Sequence, residues 1–146
     1  MKIALKYGLV ITLVLVAWVV LARFILAVPA DSAVNMVGPI LFNLTAIVAI
    51  YLGITARSRE GELSFKDGVK VGISISLVYA LSSCLFFFIV FLIVGPQMLA
   101  SEPMAQQYPI WQVALFAYAG MFFGALVLGL VYSTVISFLL VKARRG

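Results

Sequence analysis

The sequence has no histidine, one cysteine and five acidic residues among 146. Without histidine there is no imidazole to act as a general base. The lone Cys84 cannot form an internal disulfide, and a transition-metal site would lack its usual nitrogen and sulfur donors. None of the acids (Asp31, Glu60, Glu62, Asp67, Glu102) falls inside an apolar run, so no intramembrane carboxylate offers itself as a proton carrier. Ser82 and Ser83 have no evident activating partner, and no glycine loop of the phosphate-cradling type appears. These absences argue against an enzyme, a metal and a cofactor.

What is present is apolar. Hydrophobic residues make up 65% of the chain and charged residues 10%, against about a quarter charged in a typical soluble domain. Four long apolar runs stand out, at about 7–28, 39–56, 71–94 and 111–141. Each meets the requirement of about 20 residues for a helix crossing roughly 30 Å of hydrocarbon. Pro29 closes the first run, because the residue before a proline disfavours helix. Pro39 opens the second at a first-turn position, and Gly95-Pro96 closes the third. The fourth is long enough to require tilt or protrusion. The expectation is an all-α membrane protein: one integral domain over 1–146, a bundle of four transmembrane helices.

The charges sort by side. Nine of the ten Lys and Arg lie before the first run, in the 57–70 connection or after the fourth run. The connections on the other side carry Asp31 and Glu102 and no base. That is the positive-inside pattern, with both termini and 57–70 cytoplasmic and 95–110 outside. It points to a multi-pass membrane protein. The net charge of +5 suits anionic lipid headgroups. It does not suggest nucleic acid, because no basic patch alternates with exposed aromatics. Lys2 and Lys6 before an apolar stretch, with Val28-Pro29-Ala30 beyond it, also resemble a signal peptide. The stretch is long for such an h-region, which favours an uncleaved signal-anchor helix.

The 57–70 connection reads RSREGELSFKDGVK. Ser64 with Asp67 three residues later has the spacing of an N-cap with an acid in the first turn, so the third helix is expected to begin near Phe65. Ser64, Phe65, Lys66 and Asp67 are candidates for a cytoplasmic interaction surface, the alternative being a solvated hairpin loop. The stretch Lys6 to Val14 aligns without gaps to Lys70 to Val78, with Lys, Gly, Ile, Leu and Val identical. Two tandem helical hairpins in the same orientation would produce such a repeat.

Small residues recur every four positions on the third run, at Gly68, Gly72, Ser76, Ala80 and Cys84. The fourth run carries Gly120 and Gly124, and beside them Ala125, Gly129, Ser133 and Ser137. In lipid such residues let helix backbones approach closely. The faces suit packing within one bundle, a homodimer, or contact with another membrane protein. Arg23 is the only base within a run. It either snorkels to the headgroups and pairs with Asp31 or Glu102, or serves an anion site or gate. Asn43, Thr45 and Ser82 are candidates, with Arg23, for an outward-facing polar pocket; otherwise they are interhelical glue.

Lys6-Tyr7-Gly8, and more specifically Gly61-Glu62-Leu63-Ser64-Phe65-Lys66-Asp67-Gly68 leading into Lys70-Val71-Gly72, resemble the domain of unknown function 4199 family. The four-span layout and the length are similar too, while 95–109 carries no matching motif. The resemblance implies a small bacterial inner-membrane protein and implies no activity. Two functional expectations result: a non-enzymatic accessory or interaction protein, or a small oligomeric transporter or channel built around Arg23, Asn43, Thr45 and Ser82.

Overall fold

The computed structural model describes residues 2–25, 37–95 and 107–145, without the side chains of Arg23, Phe24, Val94, Arg144 and Arg145. Among the described residues the fold is four helices: α1 (Lys2–Val20, continued by a π-helical turn over Leu21–Ile25), α2 (Val37–Ser58), α3 (Phe65–Val94) and α4 (Ile110–Arg145). All four are long and apolar enough to cross a membrane. The expected stop at Pro29 and most of the 95–110 connection lie outside the described residues.

Ser64 starts α3. Its hydroxyl accepts from the Asp67 amide at 3.1 Å and its own amide donates to the Asp67 carboxylate at 3.5 Å, so the two residues close a capping box. At the other end Gly95 takes φ +84° and its N–H reaches the Phe91 carbonyl at 2.8 Å. A side chain would be strained there. At 1.5 Å per residue the 30-residue α3 is about 45 Å long. The 36-residue α4 is about 54 Å long. Both exceed a hydrocarbon core of roughly 30 Å.

α1 packs on α2 and α3, and α4 packs on α3 and α2. The α2–α3 pair touches across the middle, while α1 and α4 occupy opposite corners and do not share a substantial face. Contacts fix the directions. Gly53 lies beside Tyr7 and Ile3, and Gly38 beside Trp18, so α1 and α2 are antiparallel. Gly8 lies against Ile75 and Val78, and Thr12 meets Ser82, so α1 and α3 run parallel. Gly68 lies against Ser137 and Gly129 against Ser76, so α3 and α4 are antiparallel. The start of α1, the 59–64 connection and the end of α4 therefore gather at one end of the bundle. That end holds Lys2, Lys6, Arg57, Arg59, Lys66, Lys70 and Lys142.

The core is small and aliphatic. Ile11, Ile50, Ile54, Ile75 and Tyr79 are fully buried, among Ala4, Ala46, Ala49, Ala80 and Ala125. Between 22% and 33% of each span's apolar window is buried inside the chain. The remainder includes Leu13, Leu85, Leu92, Ile93, Trp111 and Phe123, all exposed. Contiguous apolar surface on that scale does not persist in water and fits a hydrocarbon surround.

The aligned segments match in burial as well as in sequence. Gly8 and Gly72, Ile11 and Ile75, and Thr12 and Ser76 are buried, while Leu9 and Ile73, and Leu13 and Leu77, are exposed. Ala4 and Gly68, one turn earlier, are buried too. Thr12 and Ser76 each donate to the carbonyl four residues back, Gly8 and Gly72 respectively.

Candidate packing interfaces and polar contacts

The α3–α4 seam is built from small residues on both helices. A Cβ placed on Gly68 would collide with the side chain of Ser137, on Gly72 with that of Ser133, and on Gly129 with that of Ser76. Each glycine faces a serine in a constant antiparallel register, so backbone and hydroxymethyl group meet where two larger side chains would hold the helices apart. Two of the three serines, Ser76 and Ser133, satisfy their hydroxyls along their own helix. Ser76 Oγ donates to Gly72 O at 2.8 Å and Ser133 Oγ to Gly129 O at 2.5 Å. Ala80 continues the face as a 1% exposed core residue.

The seam is locked by tyrosines. Tyr79 Oη donates to the Ala125 carbonyl at 3.0 Å, and Tyr118 Oη, from α4, donates to the Phe87 carbonyl at 3.0 Å. Cys84 Sγ sits 3.9 Å from the Tyr118 carbonyl, a weak contact of the same polarity. Phe42 of α2 meets the edge of the Tyr79 ring at a centroid distance of 5.4 Å.

Gly120 and Gly124 stand apart. Nothing lies within 4 Å of a Cβ placed on either one. Both lie on α4 but off the seam with α3, and Gly120 is exposed. The described residues leave this face of α4 uncovered.

The polar-pocket candidates separate. Asn43 Nδ2 donates to Pro39 O at 2.8 Å, and Asn43 Oδ1 accepts from Tyr132 Oη at 2.9 Å, tying α2 to α4. Thr45 Oγ1 donates within its own helix to Leu41 O at 2.8 Å. Ser82 Oγ lies 2.7 Å from Val78 O and 2.6 Å from Thr12 Oγ1; with the Thr12 proton directed at Gly8 O, Ser82 donates to Thr12 and ties α3 to α1. Asn43 and Ser82 thus serve different helix pairs and share no hydrogen bond. Arg23 lies in the π-helical turn, a local expansion of the helix; its side chain is outside the described residues. The buried hydroxyls of Thr55, Ser83 and Ser137 have no hydrogen-bond partner among the described residues.

At the basic end Ser64 and Asp67 are engaged with each other, while Phe65 and Lys66 are exposed. The described residues form no ion pairs. They also contain no group of three or more His, Cys, Asp or Glu side chains placed to hold a metal ion.

Sequence reasoning did not find Tyr79, Tyr118 and Tyr132. A tyrosine in an apolar run carries one weak signal, a hydroxyl that needs a partner when buried. The position of Tyr79 three residues after Ser76, on the small-residue face, is the clue that was available.

No protein-family model, curated protein or solved structure matches the chain.

Proposed function

We propose that this chain is a multi-pass protein of a bacterial inner membrane with its basic end in the cytoplasm. It works without catalysis, as an accessory or interaction protein. The observation that carries the reading is the contrast between the two small-residue faces of α4. Gly129, Ser133 and Ser137 are consumed inside the chain, whereas Gly120 and Gly124 form a close-approach surface with nothing on it among the described residues. The hydroxyls and amides of the span interior are largely spent in contacts within or between helices, which supports a rigid bundle rather than a solute path. In this reading the Gly120–Gly124 face receives a second copy or another membrane protein, and Ser64–Asp67 offers a second contact in the cytoplasm. The matched burial of 6–14 and 70–78 supports two tandem hairpins related by an axis along the membrane normal. The resemblance to the domain of unknown function 4199 family is compatible with all of this and adds no activity.

The test is association in a native membrane. Cysteine replacements at Gly120 and Gly124, in a Cys84→Ala background, should give a disulfide-linked species on mild oxidation, while replacement at Leu130, exposed but about a quarter turn or more round the helix from them, should not. If only monomer forms at all three sites, and partner capture is unchanged by Gly124→Leu, the α4 face is not an interface.

A further inference from the structure

A second surface lies at the basic end, where α3 begins and α4 ends. Phe65, Phe138, Val141 and Lys142 line an open cleft of about 300 Å³. Three of the four are apolar. The fourth, Lys142, is exposed, and its ammonium lies 6.0 Å from the centroid of the Phe138 ring. No carboxylate among the described residues pairs with it. The acid of the neighbouring first turn, Asp67, has its carboxylate turned to the Ser64 amide. Phe65 opens the first turn of α3, and its amide and that of Lys66 precede the first bond along the helix, from Gly68 N–H to Ser64 O. The cleft therefore joins an apolar slot, an uncompensated cation and the positive end of a long helix.

We infer that this cleft binds one anionic phospholipid, its acyl chain along Phe65, Phe138 and Val141 and its phosphate on Lys142. The inference rests on the membrane reading above, with this end at a bilayer surface. The occupant follows from complementarity. A helix N-terminus and an ammonium together favour a phosphate. A lysine held over an aromatic face at the edge of a hydrocarbon slot presents its charge at headgroup depth, as a snorkelling side chain does. A soluble anion would leave the apolar walls unused, and a zwitterionic lipid would bring a cation toward Lys142.

The experiment is native mass spectrometry of the full chain in mild detergent with equal phosphatidylcholine and phosphatidylglycerol. The expected result is one retained lipid per chain with phosphatidylglycerol preferred. Lys142→Glu should lower that preference by about five-fold or more, the scale of one basic group at a lipid surface. Lys142→Arg should keep it. Lys6→Glu, on the opposite corner of the bundle, should leave it unchanged. Phe138→Ala, at an exposed position, should reduce retention of both lipids by removing one wall. Equal retention of the two lipids in the unmodified protein overturns the inference, as does an unaltered preference in Lys142→Glu. A loss in Lys6→Glu as large as that in Lys142→Glu would mean diffuse surface charge, and also overturns it. A two-chain species abolished by Lys142→Glu would place a second copy in the cleft instead. Carbonate extraction of cell membranes separates the two readings. A chain released by carbonate overturns the membrane assignment itself, whereas a resistant chain without lipid preference overturns only the cleft.

Discussion

The two hairpins solve one problem in different ways. Between helices in lipid there is no hydrophobic driving force, so contact depends on close fit and on interhelical hydrogen bonds. The α3–α4 hairpin places glycine against serine at three successive turns and lets tyrosine hydroxyls reach carbonyls on the facing helix. The α1–α2 hairpin places glycine against the far ends of large side chains: Gly38 under the Trp18 indole, and Gly53 among Ile3, Tyr7 and Ile75 of α3. The first is a backbone-to-backbone approach, the second a set of holes filled by knobs. The difference lies in tolerance. A short serine side chain cannot retreat, whereas an indole or an isoleucine terminus can rotate.

That comparison is open to direct attack. The largest effect is expected from Gly72→Leu. Even its Cβ would collide with Ser133 and lie 3.3 Å from the Ser133 Cα, and overpacking of this kind costs about 3 kcal/mol or more. Loss of a folded, monodisperse species in detergent is the readout. Normal thermal stability of this variant would mean that the seam is looser than described. Gly38→Ala should cost less, about 1 kcal/mol, because the Trp18 ring 2.7 Å from the new Cβ can move. If Gly38→Ala proves as damaging as Gly72→Ala in thermal melts, the distinction between holes and seam fails.

Smaller again is Tyr79→Phe, which deletes the bond to the Ala125 carbonyl and keeps the ring. A loss near 0.6 kcal/mol, and no more than about 1.7, is expected from interhelical hydrogen bonds in membranes. A double-mutant cycle of Thr12→Val with Ser82→Ala should give a coupling of similar size, about 0.6 kcal/mol, for the contact joining the hairpins. The smallest effect is expected at Gly124→Leu. Open space surrounds that position, so the stability of the monomer should be unchanged while any association through this face is lost. A destabilised monomer would show that α4 is covered from within the chain.

Much of the architecture could be read from the amino acids because two of its causes are local. Hydrophobicity sustained over a membrane's thickness specifies four helices regardless of how they meet. The Ser64 and Asp67 spacing encodes the start of α3 through bonds that span three residues. Pairing is not local. The four-residue recurrence of Gly68, Gly72 and Ser76 defines a face but not which helix covers it. The most conspicuous glycine pair of α4, Gly120 and Gly124, is not what covers it. Gly129, Ser133 and Ser137 are, because the register brings a serine opposite each glycine of α3 and a glycine opposite Ser76. The polar candidates failed to declare their grouping for a related reason. Asn43 and Ser82 look alike as a half-buried amide and hydroxyl, and only the partners Tyr132 and Thr12 separate them.

The way Ser76 and Ser133 use their hydroxyls bears on how the molecule is made. Each donates to a carbonyl of its own helix, so neither needs the opposite helix to be satisfied. α3 and α4 can each carry these two serines into a bilayer with their donors met; the Ser137 hydroxyl stays without a partner among the described residues and that of Tyr79 is met only when the helices join. Shape then brings them together, and sliding one helix past the other breaks no bond between the serines. The tyrosine contacts act late, as latches that select one stop along that slide. A chain lacking the Tyr79 and Tyr118 hydroxyls should therefore insert and pair at a normal rate, and its paired helices should slip or separate faster.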